Sequence, residues 1–432
     1  MATSPDSVTY TTTPFGVLGV NQIPTGAGII STPPAVSNGY NTVVGIQAGT
    51  NLNPSAIEAT IVGYGAGGAG LRGGAPAGGT GMTGAENTLI GWFSGTQMTT
   101  ASFMTAVGVN TMGAEVDGSN SVAVGADAMR NSTGITSSIA IGTNALRNGA
   151  ATTTSIAIGS NTLIGAETTP STSVGSDLIA IGFTAIASAS RTTLSNTVAI
   201  GTRAGNALQT GTAGVFIGTD AGKVQTASGN SIGIGFAALI AATTVTDTVA
   251  IGRAAGAAAV SSFNNTFVGH SSGTGTTGNN NVAVGSHALE AVGAAFSTVA
   301  VGHNAGNKYT GNAALILGPQ VASTTLTTGT NVILIGTNNA CDTPASGTSN
   351  YMAIASGATA IMTATATTTT PVVEFPGASI AIGAAGPNIK AGTGAATGTQ
   401  PAGSLWLRTD GAAGTRIYVS QGAGSWLAIA GV

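Results

Sequence analysis

The chain has 432 residues, of which only 6% are charged and 4% aromatic, while 68 are glycine. Such a composition excludes a fold held by ion pairs or large side chains, and leaves backbone ladders and many small apolar contacts to do the holding. The formal charge of −3, with eleven scattered Lys and Arg, excludes a basic track for nucleic acid, and no apolar run approaches the ~20 residues of a membrane-spanning helix.

Residues 1–40 are rich in Thr, Pro and Gly, and Pro14, Pro24, Pro33 and Pro34 prevent regular helix. They predict either an extended arm docked on another protein or disorder, with docking the favoured reading. The opening Met1-Ala-Thr-Ser-Pro-Asp-Ser-Val-Thr-Tyr10 has neither a basic nor an apolar signal region, which predicts assembly in the cytoplasm without a signal peptide. From Thr42-Val-Val-Gly-Ile-Gln-Ala-Gly49 onward the chain keeps rewriting one element, in full as Ser121-Val-Ala-Val-Gly-Ala-Asp-Ala-Met129 and Ser138-Ile-Ala-Ile-Gly-Thr-Asn-Ala-Leu146. Its pivot glycines are Gly91, Gly108, Gly125, Gly142, Gly159, Gly182, Gly201, Gly218, Gly235, Gly252, Gly269, Gly285, Gly302, Gly318 and Gly336, at intervals of 16 to 23 residues and most often 17. A fixed period of this kind means one structural unit stacked on itself, here over residues 41–340. Excursions at 65–84 and 164–178 read as surface loops.

Within the unit, Val122 and Val124 sit two apart and share one side of a strand, with Ala123 on the other. The glycine that follows ends the strand. Two residues later a mostly polar position recurs, as Asp127, Asn144, Asn161, Arg203, Asp220, His287, Asn304 and Asn338, and then a small one, as Ala128, Ala145 and Ala204. One short strand and one corner per ~17 residues predict an all-β parallel solenoid. The Val/Ile pair is expected to fill the inside of the coil, with the Ala ridge facing out. A second apolar face must also be covered, and identical chains around an axis cover it, as a homotrimer, with a dimer equally compatible with the periodicity.

The element Ser/Asn-Val/Ile-Ala-Val/Ile-Gly-x-x-Ala resembles the repeat of the YadA-type head of trimeric autotransporter adhesins, over roughly residues 84–340. The resemblance implies a left-handed parallel β-roll in which three chains stand side by side and bind host or matrix surfaces. The coil here is longer than that family's usual repeat, and the stalk and membrane-barrel anchor are not seen, so fold and trimer are expected to carry over better than the biology.

A Thr/Ala/Gly-rich continuation and linker occupies 341–402, including the last echo Ser379-Ile-Ala-Ile-Gly383, and a separate module occupies 403–432. There Ser404-Leu-Trp-Leu-Arg408, Arg416-Ile-Tyr-Val-Ser420 and Ser425-Trp-Leu-Ala-Ile429 predict three short antiparallel strands. The module is similar to one at the C-terminal ends of many tailed-phage virion proteins. Trp406, Arg408, Tyr418 and Trp426 are its candidate receptor contacts, because binding hot spots favour Trp, Tyr and Arg. The competing reading makes the aromatics the core of a cap over the last coil.

Motifs for chemistry are weak. Gly269-His-Ser-Ser-Gly273 spells a nucleophile elbow, but in the ordinary repeat corner rather than a strand-to-helix turn. Gly63-Tyr-Gly-Ala-Gly-Gly68 and Gly273-Thr-Gly-Thr-Thr-Gly278 match a nucleotide fingerprint without the βαβ context it needs. His270 and His303 share a column, about 10 Å apart for two coils and too far for one metal, with Arg253 one coil before His270. Glu115-Val-Asp117 is the only close acidic pair, and reads as a solvated loop. Cys341, the one cysteine, has no intrachain partner. No enzyme, cofactor or metal is expected.

The sequence thus predicts a structural virion protein, a trimeric tail fibre or spike whose ~20 coils at ~4.8 Å would make a rod of about 90–100 Å. Its expected partners are other virion proteins at one end and a host-surface receptor or glycan, with no nucleic acid and no membrane insertion. A capsid-decorating fibre and a bacterial surface adhesin are the alternatives.

Overall fold

The computed structural model describes residues 10–12, 18–20, 41–45, 47–49, 52, 56–68, 82–114, 117–149, 154–165, 176–188, 193–291, 293–357, 359–366, 371–374, 380–381, 388–392, 402–408 and 417–429. The expected arm lies largely outside them, as do most of the loops at 65–84 and 164–178, and Glu115. Every described element is a β-strand. The chain forms two compact units, Met1–Ala295 and Phe296–Val432.

In the first unit a parallel ladder runs from Thr42–Val44 to Val282–Val284, each strand three residues long and paired in register with the next. Ile139, Ala140 and Ile141 face Ile156, Ala157 and Ile158, so like stacks on like. A second parallel sheet, Thr193–Ser195, Thr210–Thr212, Ala227–Gly229 and Thr244–Thr246, adds another strand to four coils. Elsewhere on that side the described residues form single bridges, such as Ser102 with Ser119 and Ser119 with Thr136. The expectation of one strand per coil is therefore short by one here. Only Leu194 and Val245 supply a buried apolar middle residue on that side, and the Gly211 and Ser228 between them interrupt the alternation by which it could be seen.

The facing of the main strand is the reverse of the expectation. The middle residues Ala123, Ala140, Ala157 and Ala199 are fully buried, whereas Ile139 and Ile141 are 37% and 40% exposed. The reason is volume. A 17-residue coil encloses little space, and its corner already sends a large side chain into that space: Met129, Leu146, Leu163 or Leu239, all fully buried. Opposite such a residue the strand has room for a methyl group. Where the corner offers glycine instead, the large residue arrives three positions later, as Met98 after Gly95 and Leu208 after Gly205. A Cβ on Gly205 would stand 2.6 Å from Leu208 Cδ1. Phe216 is the exception that obeys the same rule: its ring takes the space, its ladder partner in the next coil is Gly233, and a Cβ on Gly222 would meet the ring at 2.5 Å.

The pivot glycines have a backbone reason. Gly125 and Gly142 have φ of 128° and 129°, a region closed to side chains, and an added Cβ would lie 2.7 and 2.6 Å from the carbonyl oxygen of the next pivot. Gly336 departs from this column: its φ is not in that region, and a Cβ there would stand 2.9 Å from Cys341 Sγ.

Just before many of the strands a polar residue is buried, and several of these are bonded to the neighbouring coil. Ser138 N donates to Ser121 Oγ at 3.1 Å, and Asn281 N to Asn265 Oδ1 at 2.8 Å. These side chains satisfy backbone groups that a coil interior would otherwise leave unpaired.

In the second unit Val299–Val301, Asn312–Leu317, Thr330–Ile335 and Tyr351–Ser356 pair in parallel, and Thr359–Ala366 and Pro371–Glu374 follow antiparallel. Tyr309 fills this interior, its hydroxyl 2.6 Å from the Gly329 carbonyl oxygen, and burial pushes the phenol well above its ordinary pKa. A separate sheet orders Ile380–Ala381, Asn388–Gly392, Leu405–Arg408, Ile417–Gly422 and Ser425–Ile429. The three expected C-terminal strands are present and antiparallel, and Asn388–Gly392 adds to them in parallel.

Ala140→Leu should cost ~1–3 kcal/mol by overpacking the coil interior. Gly142→Ala should cost at least ~1–3 kcal/mol from its backbone conformation alone. Denaturant unfolding checks both, and tolerance of Leu at Ala140 without loss of stability would overturn the inward assignment of the middle residue.

Candidate functional site

The corners carry most of the polar chemistry, because the strands are too apolar and too short to do so. The residue two past the pivot adopts a left-handed conformation at every pivot but Gly336, with φ of 56° at Asp127, 57° at Asn144 and 56° at Asn161. Asn and Asp tolerate this region better than other side chains, which accounts for their recurrence as much as any ladder does. The ladder is present as well: Asn144 Nδ2 donates to Asn161 Oδ1 at 2.9 Å.

Further along the same column Arg203 holds Asp220 by two bonds, 2.6 Å from Nε and 2.8 Å from Nη2. The Arg203 hydrogen bond holds the Asp220 carboxyl below the usual carboxylate range against the opposing effect of burial, and Lys223 adds to the lowering. Next comes a chain of contacts at the corner: Arg253 Nη1 lies 2.8 Å from His270 Nε2, the His270 and His287 rings meet edge to face at 4.8 Å, and His287 Nδ1 lies 2.9 Å from Glu290 Oε1. The two histidines that meet are thus neighbours in adjacent coils rather than His270 and His303. His303 lies in the second unit. With a guanidinium on one ring nitrogen this is a hydrogen-bonded corner, and among the described residues no three His, Cys, Asp or Glu side chains are placed to hold a metal.

The nucleophile-like Ser271 is a corner residue with φ of 53°, its amide donating to the Arg253 carbonyl at 2.8 Å. Ser272 is buried and donates to the Ala283 carbonyl at 2.7 Å. Both glycine fingerprints fall in turns.

In the C-terminal sheet, Trp406 faces Tyr418 across the ladder, and Ser420 faces Trp426. Trp406 and Trp426 meet edge to face at 6.1 Å. Tyr418 is 9% exposed and the tryptophans are half-buried, so three of the four candidate contacts form one packed aromatic face. The Arg408 side chain lies outside the described residues. On the opposite face Leu427 is 55% and Ile429 40% exposed.

One residue that sequence reasoning missed is Asp342. Its carboxylate accepts from the amides of Thr324, Thr325, Leu326 and Thr343 at 3.0, 2.7, 2.8 and 2.8 Å, and from the Thr324 hydroxyl at 2.8 Å. It ties one coil to the preceding one. Only the fold brings these amides together, so no spacing announces it. Cys341 beside it is buried, and burial raises its thiol pKa.

Compared with family models, with curated proteins and with solved structures, the chain finds no match.

Asp342→Ala should destabilise the second unit by ~1–3 kcal/mol, from the loss of hydrogen bonds to a charged acceptor, and thermal melting reads it. Asp220→Asn should melt earlier than wild type at neutral pH. The difference should narrow as pH falls through the lowered carboxyl pKa, where the wild-type group is itself protonated. Cys341 should react with a thiol reagent only on unfolding, and rapid native labelling would contradict its burial.

Proposed function

We propose that this chain is a non-enzymatic structural protein of a virus particle, a homotrimeric tail fibre or spike that meets the host surface. The observation that carries the assembly is the pair of β-branched columns on the outer face of the main ladder. Ile139, Ile141 and Ile251 are 37%, 40% and 38% exposed in the single chain, and they repeat from coil to coil. Parallel sheets are normally covered on both faces, and a long regular apolar stripe is matched best by copies of itself. Three copies, in a left-handed arrangement, follow the resemblance of the repeat to YadA-type heads. The virion setting follows the resemblance of the last thirty residues to phage C-terminal modules.

A capsid-decorating fibre is the second reading, and one observation favours it. Tyr418 is nearly buried and packs with two tryptophans in a single sheet, as the core of a lid rather than an open contact surface.

Sedimentation should give a trimer that resists dilution, and the double variant Ile141→Lys, Ile158→Lys should release folded monomer. A folded wild-type monomer would remove the reading. Antibody labelling of intact particles should place the protein on the tail for a fibre, on the shell for a decorating rod, and on neither if the setting is wrong.

A further inference from the structure

We infer that a groove beside Phe93 in the first unit is a binding site for a single neutral sugar ring of a surface glycan. The inference adds a ligand class and a new location to the attachment reading.

The residue that follows each pivot points outward, and at two early coils it is aromatic. Tyr64 is 44% and Trp92 55% exposed. Between them stands Phe93, in the left-handed position that later coils fill with Asn110, Asp127 and Asn144, at φ of 56°. A bulky aromatic is a costly occupant of that region, and Phe93 is half-buried there. The three rings are organised as a shelf: Trp92 stacks on Phe93 at 5.4 Å and 26°, and Tyr64 meets Phe93 edge-on at 5.6 Å and 72°.

Of the three rings Phe93 lines a groove of about 170 Å³, together with Gln97, Asn110, Arg130 and Asn131, and Trp92 reaches the groove only through its stacking on Phe93. That volume is below the ~300–1,000 Å³ of pockets that take drug-sized ligands, so it suits one ring. Among the described residues the Gln97 and Asn110 amides have no side-chain hydrogen-bond partner, and each offers both donors and an acceptor. Arg130 is neutralised by Asp127 at 3.1 Å, which removes the attraction for an anionic ligand. An aromatic surface beside uncharged, two-way hydrogen-bonding groups matches a pyranose, with its apolar C–H face and its hydroxyl rim.

The shelf is also local. The same outward position becomes Ala126, Thr143 and Ser160 in later coils. It is aromatic again at Phe183 and Phe236, 52% and 53% exposed, but among the described residues neither of those rings meets another ring, whereas a contact between copies would follow the continuous Val/Ile stripe.

The test uses saturation-transfer NMR on the full chain, with the methyl glycosides of glucose, galactose, mannose and N-acetylglucosamine as probes. At least one should bind at millimolar concentration, and Trp92→Ala should weaken it by about three- to tenfold, the range of one aromatic stacking contact. Gln97→Ala, at the exposed rim, should weaken the same probe while thermal melting stays unchanged. Absence of transfer to every probe overturns the site, as does binding that survives both substitutions. If Trp92→Ala instead shifts sedimentation to a smaller species, the shelf is a contact between copies and the sugar site falls. Sedimentation and particle labelling of the wild type are untouched by any of these results, so this inference and the structural reading fail separately.

Discussion

The whole repeat depends on backbone meeting backbone at the pivot. Gly125 approaches Gly142, and Gly142 approaches Gly159, so closely that a single methyl group on either would enter the carbonyl of the next coil. This contact sets the spacing and the register of the ladder at once. The residues on either side are then free to vary within narrow limits: a small inward residue before the glycine, a left-handed turn residue after it, and a polar residue before the strand to hold the neighbouring coil.

Interior space is the second constraint, and it couples positions far apart in sequence. Each coil admits few large side chains, supplied from the corner as at Leu146, from three residues later as at Leu208, or from the strand as at Phe216. A large residue at one of these positions often goes with Ala or Gly at another, as Leu146 with Ala140 and Phe216 with Gly222, although Leu89 and Met98 are both large and fully buried. Gly233 is small because Phe216 is large, a relation that appears in no single repeat taken alone. Similar bookkeeping lets Tyr309 enter the second unit, where its hydroxyl finds the Gly329 carbonyl.

Period, strand and pivot were legible in the sequence because they rest on local chemistry: β-branched residues two apart, then a glycine. The direction of the strand was not legible. Hydrophobicity ranks Ile139 above Ala140, yet the volume left inside a thin coil decides which of them turns inward. The second sheet around Thr193–Ser195 and Thr210–Thr212 escaped notice because its apolar middle residues, Leu194 and Val245, are separated by Gly211 and Ser228. At the corners the polar column was evident, whereas the meeting of His270 with His287 depends on a coil one residue shorter, and the Asp342 clamp on amides sixteen to eighteen residues away. The C-terminal strands were readable from their alternation, and the pairing of Asn388–Gly392 with them was not, since nothing in its composition names a partner.

Because like stacks on like, most coils are interchangeable modules. Residues 139–155 present the same inward Ala, outward Ile pair and preceding Ser as the seventeen that follow them, so removing the block would bring Ser138 before Ile156 and restore each column one step shorter. Length in this chain is therefore a quantity that changes by whole turns, without redesign of either flank. The block around Phe216 and Gly233 is different: its two coils fit only each other, and can be lost or copied only as a pair.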